Sequence, residues 1–176
     1  MPEEEGWTVP WPAEMGSSSW SPERARLAMA FAAAARRTGS LMQLMGQAAA
    51  DRIGINATDL NCMNILSFSG HLTAGELAKA TGLTTASITG VVDRLEEAGF
   101  VHRERDAVDR RRVVVHLDVA KALAAVGPIF GPMMGAWARM ASQYTDDELR
   151  LIVQFYDQME DVVREHLRRL RTPGTS

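Results

Sequence analysis

With 176 residues, 46% of them hydrophobic, the chain is long enough for one domain with a core, or for a small domain with arms that pair with a second copy. Five of its 22 acidic residues precede the first basic residue, Arg24, so the net charge of −3 becomes +2 beyond that point, which excludes a histone-like basic surface. The single cysteine excludes an intramolecular disulfide framework, and the spacing of the four histidines matches no metal site, so no metal or cofactor is expected.

The N-terminal segment, residues 1–20, is rich in proline, glutamate, serine and tryptophan. Proline and polar residues disfavour regular packing, so we expect a disordered or loosely docked N-terminal arm. The segment is acidic and has no basic stretch followed by an apolar block, so it does not resemble a secretory signal. The longest run of small apolar residues, 27–35, is too short to span a bilayer. We therefore expect a cytoplasmic protein with no membrane partner.

A long helix is predicted directly after this arm. Ser21 is suited to cap it, Pro22 to occupy its first position, and Glu23 to face the positive end of the helix dipole. Alanine, leucine and methionine dominate from there to about Ala50, and Gly54 ends the segment.

Three shorter helices are predicted between residues 56 and 99, each opened by a residue that can accept a hydrogen bond from the first turn. The predicted starts are Asn56 with Asp59, which resembles a capping box, Thr73 with Glu76, which is a full T-x-x-E box, and Thr84; the predicted ends are near Phe68, Gly82 and Gly99.

The second and third of these helices meet the requirements of a helix-turn-helix. Leu77 and Ala78 place an apolar and a small residue where the helices cross, and Gly82 supplies the positive φ of the turn. The outer face of the third helix carries small hydroxyl side chains and one arginine, which can approach base edges and phosphates. An ordinary polar surface is the alternative for an isolated helix, but the glycine turn before it and the arginine-rich hairpin after it favour DNA binding. This face consists of Thr84, Thr85, Ser87, Thr89, Gly90 and Arg94.

Two β-rich runs, 101–105 and 112–117, predict a hairpin with a polar turn. Arginines at a hairpin tip can enter the narrow minor groove, and Asp109 could pair with the arginine two residues later and fix its direction. A solvated charged turn is the alternative, but it leaves three consecutive arginines, 110–112, unexplained. Alternation along the second strand predicts Val113, Val115 and Leu117 on one face, with Val114 and His116 on the other.

Two helices are predicted in the C-terminal third. The first contains two Gly-Pro steps, at 127–128 and 131–132, and proline inside a helix removes a hydrogen bond and clashes with the preceding turn. We therefore expect a kink there, or two separate pieces. The last helix is predicted to start with a capping box of Thr145 and Glu148, and apolar residues follow at helical spacing as far as Leu170.

One segment reads R-L-E-x-x-G, then an arginine, then D-x-R-x-x-x-V-x-L. Together with the order of helices from about Ser21 to Leu170, this pattern resembles the MarR family (multiple antibiotic resistance regulators). The residues in the pattern are Arg94, Leu95, Glu96, Gly99, Arg103, Asp109, Arg111, Val115 and Leu117.

The resemblance implies a mainly α-helical fold with a small β-hairpin wing, in which a winged helix-turn-helix lobe is joined to a helical dimerisation arm. It implies a homodimer that binds a pseudo-palindromic site in double-stranded DNA and acts as a repressor or an activator, of which a repressor is favoured, with a small ligand that often tunes DNA affinity and could release the protein from DNA. The segments would be the N-terminal arm at 1–20, a dimer-arm helix at 21–54, the DNA-binding lobe at 55–118, the C-terminal dimerisation helices at 119–171 and a tail at 172–176.

The same resemblance extends the candidate DNA-binding residues to the wing. Arg111 would be the minor-groove arginine at the wing tip, and Asp109 would orient it. Asp118 stands where the family usually has threonine, although aspartate caps a helix equally well, and the paired Gly-Pro steps are unusual for a dimer-arm helix. The full candidate set is Thr84, Thr85, Ser87, Thr89, Arg94, Arg103, Asp109, Arg110 and Arg111.

Methionine-rich surfaces suit small apolar or aromatic effectors, and a loop histidine could add a polar group to such a pocket. Core or dimer packing is the alternative interpretation of these residues. Cys62 is interpreted as a core residue, because no nearby positive charge would favour a thiolate. The candidate ligand-binding residues are Met42, Met45, Met63, His71 and Trp137.

The sequence therefore favours a dimeric, sequence-specific, DNA-binding transcriptional regulator. The alternative is a winged-helix module that binds proteins and not DNA, which the near-neutral body and acidic arm allow. An enzyme is not expected, because no nucleophile–base pair, paired carboxylates or phosphate loop can be assembled from these spacings.

Overall fold

The computed structural model describes residues 20–106 and 109–171. The predicted N-terminal arm, apart from Trp20, and the predicted tail at 172–176 lie outside these ranges. The expectation of a mainly helical fold with a small sheet is confirmed. The helices are α1 (Pro22–Ile53), α2 (Ala57–Ser69), α3 (Ala74–Thr81), α4 (Thr85–Glu97), α5 (Val119–Ala141) and α6 (Asp146–Arg171); the strands are β1 (His71–Thr73), β2 (Val101–Arg105) and β3 (Val113–Leu117).

The chain divides into two compact units, and the boundary falls inside α1, between Met45 and Gly46. In the first unit α1 begins as predicted, because the Arg24 amide donates to the Ser21 hydroxyl at 3.2 Å. The guanidinium of Arg24 also lies 5.8 Å from the centre of the Trp20 ring. Most large apolar side chains of this part of α1 are exposed, among them Leu27, Met29, Leu41 and Leu44.

Side-chain caps define the helix starts of the second unit. Thr73 and Glu76 form the complete box predicted for α3, with the Thr73 amide and hydroxyl each 2.8 Å from the Glu76 carboxylate, to which they donate. Asn56 caps α2 by accepting from the Asp59 amide at 2.9 Å. The Asp59 carboxylate does not complete that box, because it binds Arg94 on α4 instead. The remaining caps are Thr84 on α4, Asp118 on α5 and Thr145 on α6.

The main core lies between α2, α3, α4 and the sheet. Helix α4 contributes the predicted stripe at positions i, i+3, i+4 and i+7, and complete burial of each such aliphatic side chain stabilises the fold by about 1.5–3 kcal/mol. The stripe residues, none more than 3% exposed, are Ile88, Val91, Val92 and Leu95.

Cys62 lies in this core and is fully buried, as predicted. Burial, and next the negative charge of Asp59, raise the pKa of the Cys62 thiol to about 11. The thiol is therefore protonated at neutral pH, which agrees with a packing role and not a redox role.

A second, smaller apolar cluster joins the end of α1, the start of α2 and the middle of α5. Ala49 and Ala50 are almost completely buried there, and small residues at these positions let neighbouring helices approach closely. Leu60 is buried in the same cluster, and Phe130 of α5 packs against it. The last two turns of α1 therefore belong structurally with the lobe.

The three strands form one antiparallel sheet in the order β1-β3-β2. The hairpin of β2 and β3 was predicted, but β1 was not, because three residues are too few to show a period-two pattern. Strand β3 alternates as predicted: Val115 and Leu117 pack against the main core, and Val114 lies on the opposite face. Val113 is 49% exposed, since it lies at the tip end of β3, away from the core.

Helix α5 runs without interruption through Pro128 and Pro132, so the alternative of two separate pieces was wrong. Each proline follows a glycine, and the steric clash that normally excludes the α conformation before proline involves the Cβ atom that Gly127 and Gly131 lack. By length and apolar composition α5 could also cross a bilayer, and Ala122 is its one buried residue within the described part of the chain.

Helix α6 is strongly amphipathic, and none of its residues is buried. Its capping box is present as predicted, with the Thr145 amide donating to the Glu148 carboxylate at 2.8 Å. The apolar residues exposed on α6 include Val153, Tyr156, Val163, Leu167 and Leu170.

Candidate DNA-binding site

The turn between α3 and α4 has the geometry of a helix-turn-helix. Gly82 ends α3 in the left-handed region at φ +75°, and its amide donates to the Ala78 carbonyl at 2.8 Å. Only glycine adopts this φ without steric strain. Leu77 is fully buried and Ala78 is 7% exposed, so a large and a small apolar side chain fill the crossing of the two helices.

The N-cap and the first turns of α4 carry four exposed Ser and Thr side chains, here called the hydroxyl face: Thr84, Thr85, Ser87 and Thr89. Thr84 accepts from the Ser87 amide at 3.1 Å, and the two hydroxyls lie 2.8 Å apart. The Thr89 hydroxyl donates to the Thr85 carbonyl at 3.0 Å, which leaves its oxygen as an acceptor. The face is therefore small, accessible and able to bond to base edges or phosphates.

Arg94 was predicted on the same face, but its guanidinium is bound within the protein. Its Nε donates to Asp59 Oδ2 at 3.0 Å and its Nη2 to Asp59 Oδ1 at 2.6 Å. The Asp59 side chain is 2% exposed, while that of Arg94 is 51% exposed. The hydrogen bond to Asp59 raises the pKa of Arg94 above its ordinary value, so this guanidinium stays charged.

Arg103, a second candidate DNA contact, is also paired inside the lobe. Its guanidinium binds Asp93 at 2.6 Å and also binds Glu96, both on α4. Its backbone amide donates to Glu96 at 3.1 Å. Strand β2 is thus tied to the last turns of α4, and the positive charge of Arg103 is balanced within the protein.

The wing tip, residues 109–111, differs from Arg94 and Arg103, whose guanidinium groups are paired inside the lobe. The Asp109 carboxylate accepts from the Arg111 backbone amide at 3.0 Å, and the Asp109 carbonyl accepts from the Arg112 amide at 2.9 Å. Asp109 therefore shapes the turn through the backbone, whereas a side-chain pair with Arg111 was predicted. Arg110 and Arg111 are exposed and form no ion pair with any residue in the described part of the chain.

The third arginine of the run has a role that the sequence did not reveal. Arg112 Nη2 donates to the Glu76 carboxylate at 2.6 Å, which joins the tip end of the wing, just before β3, to the start of α3. The hydrogen bonds from Thr73, and then the interaction with Arg112, hold the pKa of Glu76 below its ordinary value. The capping box at Glu76 was the sequence signal for this contact, because a carboxylate that accepts from Thr73 has further lone pairs for another donor.

The candidate effector residues occupy different places. Met63 is 3% exposed in the main core, and Trp137 is 43% exposed on α5. His71 lies on β1 beside His116, with ring centres 4.9 Å apart. Met42 and Met45 lie on α1 in the first unit. Their role as an effector pocket stays a prediction.

Histidine side chains form a row across the sheet. His116 on β3 stands between His71 on β1 and His102 on β2, with ring centres 4.9 and 5.3 Å apart. The rings are stacked, and within residues 20–106 and 109–171 no three histidine, cysteine or acidic side chains are arranged to hold a metal ion. The row contributes to the packing of the wing sheet.

The amino-acid sequence is similar to known regulators. The family model described as "MarR family" matches residues 55–113, which span α2, the helix-turn-helix and most of the wing. The chain is 42% identical over 136 residues to the uncharacterised HTH-type transcriptional regulator YcgE of Bacillus subtilis (strain 168), covering 77% of this chain and 88% of that protein.

Solved structures agree on the fold. The crystal structure of RV1404 from Mycobacterium tuberculosis superposes with a TM-score of 0.57 at 19% identity, over 76% of this chain and 94% of that one. Wild-type MarR from E. coli superposes with a TM-score of 0.51 at 18% identity, over 73% of this chain and 94% of that one.

Proposed function

This chain belongs to the MarR family of transcriptional regulators, and we propose that it acts as a homodimeric repressor that reads a pseudo-palindromic DNA site and leaves it when a small ligand binds. The observation that carries the proposal is the surface formed by the hydroxyl face of α4 and by Arg110 and Arg111 at the wing tip. These groups are exposed, and the two arginines have no ion-pair partner within the described residues.

In this proposal the hydroxyl face enters the major groove. Small Ser and Thr side chains let the helix backbone approach base edges closely, and a hydroxyl group can donate or accept, with the Thr89 hydroxyl left as an acceptor. Arg110 and Arg111 extend from the wing toward the flanking minor groove, where the negative potential attracts guanidinium groups.

The dimer is proposed from the uncovered apolar surfaces. Helix α6 has an apolar stripe with no buried member, and α5 exposes Leu123, Trp137 and Met140. A monomeric soluble protein rarely leaves an apolar surface of this extent in water. A second copy of the chain would cover it and present two α4 helices to successive major grooves, about 34–36 Å apart.

The experiment that tests the proposal is selection of bound duplexes from random DNA, followed by a salt titration of the winning duplex. A two-fold symmetric site and a steep loss of affinity with salt are expected, because phosphate contacts release counterions. No enriched duplex, together with a flat, weak salt response on random duplex DNA, would support the protein-interaction module instead.

The effector is proposed to be a small apolar or aromatic molecule, and the candidate residues remain Met42, Met45, Met63, His71 and Trp137. A screen of small aromatic compounds for release of the selected duplex tests this part separately. Failure of every compound would leave DNA binding intact and remove ligand release from the proposal.

A further inference from the structure

An ion pair between a buried carboxylate and a half-exposed guanidinium joins two helices of the main core. Asp59 is in the first turn of α2, and Arg94 is in the last turn of α4, 35 residues later. Asp59 is the one buried charged residue among the residues that the structure describes, at 2% exposure, and both of its oxygens accept from Arg94. A buried carboxylate of this kind depends on its partner, because an unpaired charge in the core is strongly destabilising.

The geometry limits what Arg94 can do at DNA. Nε and Nη2 are both engaged in one bidentate contact, at 3.0 and 2.6 Å. A movement of Arg94 onto a phosphate would leave Asp59 buried without a counter-charge. The guanidinium is half-exposed, yet its charge is already balanced by the carboxylate beneath it.

The ion pair also gives α4 a directional contact, which its apolar contacts do not. The stripe of α4 is held by burial of apolar area, which has no direction and tolerates small rotations of the helix. A bidentate guanidinium–carboxylate contact has a defined direction, and the short side chain of Asp59 narrows the placements of α4 that allow it. A rotation of about 20° would move side chains on the outer surface of a helix by about 2 Å, which is enough to break a hydrogen bond.

We propose that Asp59 and Arg94 are positioning residues for DNA recognition: the ion pair sets the rotation of α4 on α2, and thereby the direction in which the hydroxyl face points. The inference rests on the proposed DNA-binding function, and it replaces the prediction that Arg94 itself contacts DNA. The pairing of Arg103 with Asp93 and Glu96 fixes the same end of α4 to the wing, so the helix is held from two sides.

The test uses three variants of the full chain: Arg94→Met, Asp59→Ala, and the double variant. Each is titrated against the duplex that the wild type selects, at several salt concentrations and at a temperature where all are folded. Positioning predicts that both single variants weaken binding by about tenfold or more while the slope of log affinity against log salt stays at the wild-type value. It also predicts that the double variant loses less than the product of the two single losses, because no unpaired charge remains.

Direct contact predicts a different result. If Arg94 binds a phosphate, Arg94→Met reduces the salt slope by about 0.9, and Asp59→Ala leaves the affinity near that of the wild type. Either of these results, or wild-type affinity in both single variants, overturns the positioning role. If Arg94→Met does not fold, the salt slope of the double variant decides between the two roles. Arg139→Met, which removes an arginine from α5, is the matched control for loss of charge and should change neither the affinity for the duplex nor the salt slope.

Amide hydrogen exchange of the free protein separates this inference from the proposed function. Asp59→Ala should speed exchange in α4 more than in the centre of α2, since α4 loses its fixed placement. Unchanged exchange in α4 overturns the inference even where DNA binds. If the wild type selects no duplex, the proposed function fails, and the exchange result still reports whether the pair holds α4.

Discussion

The winged-helix lobe and helix α6 are both built from regularly amphipathic helices, yet their apolar stripes end in different environments. In α4 the stripe is at most 3% exposed, because α2, α3 and the sheet of the same chain cover it. In α6 no residue is buried, and Val163 and Leu170 are 50% and 75% exposed. Helical spacing thus identifies which face of a helix is apolar and must be buried. It does not identify whether the same chain or a second copy buries that face.

The difference divides the molecule into a part that should be stable alone and a part that depends on association. Core burial in the lobe stabilises the folded chain at any protein concentration. Burial of the α6 stripe by a second copy would add stability that grows with concentration, as mass action requires. Substitutions in the two regions should therefore be detected by different measurements.

The largest effect is expected in the lobe core. Leu95 is fully buried, and Leu95→Ala should lower the free energy of unfolding by about 2–5 kcal/mol, because it removes buried methyl groups and leaves a cavity. Urea unfolding at one fixed protein concentration measures the change. Leu151→Ala is the control, since Leu151 is 67% exposed on the side of α6 away from the stripe and should stay within about 0.5 kcal/mol of the wild type. Equal losses in both variants would contradict the comparison.

The next effect should appear in association. Val163→Glu places a charge in the stripe that a second copy is proposed to cover, and an unpaired charge in such an interface should weaken dimerisation by about a hundredfold. Sedimentation equilibrium measures the dissociation constant. Gln158→Glu adds the same charge on the opposite side of α6 and should leave the dimer intact. A dimer that tolerates Val163→Glu would show that the stripe is not the interface.

Removal of a wing-tip arginine should affect DNA binding and leave folding and association unchanged. Arg111→Ala is expected to weaken binding to the selected duplex by about 1–3 kcal/mol, because its guanidinium has no ion pair within the described residues and is available to the groove. A fluorescence anisotropy titration at physiological salt measures the loss. Arg139→Ala on α5 is the control, and an Arg111→Ala variant with wild-type affinity would remove the wing from the proposed interface.

Much of the lobe could be predicted from sequence because local chemistry determines it. The glycine at position 82 predicts a positive φ in the turn, and the three-residue spacing of Thr73 and Glu76 predicts the start of α3. The helical period of the apolar residues in α4 predicts which of its side chains are in the core. Each of these signals lies within a few residues of the feature it predicts. The elements, the turn and the hairpin followed from such signals.

Contacts between distant residues could not be predicted in the same way. Arg94 and Asp59 are 35 residues apart, and Arg112 and Glu76 are 36 apart, so no periodicity connects them. Arg94 and Arg111 looked equivalent as exposed arginines in a DNA-binding segment. The structure separates them, since the first is paired with a buried carboxylate and the second is not.

The smallest expected effect compares two capping boxes, one in each region. Glu76 in the lobe and Glu148 on α6 both accept from the amide and hydroxyl of a threonine three residues earlier, but only Glu76 also binds an arginine, Arg112. The hydrogen bonds from threonine hold the pKa of both carboxyls below the ordinary value of 4.5. Since the folded pKa is the lower one, the stabilisation from each cap is present above pH 4.5 and is lost as the pH falls through the folded pKa.

Arg112→Met separates the two boxes. Carbon-detected NMR titration should show the pKa of Glu76 rising toward its ordinary value, because a hydrogen-bond donor and a positive charge are removed, while the pKa of Glu148 stays the same. An unchanged pKa at Glu76 would mean that the arginine does not tie the tip end of the wing to α3 in solution. The cap on α3 would then be as local as the cap on α6, and the lobe would be held by its apolar core alone at this position.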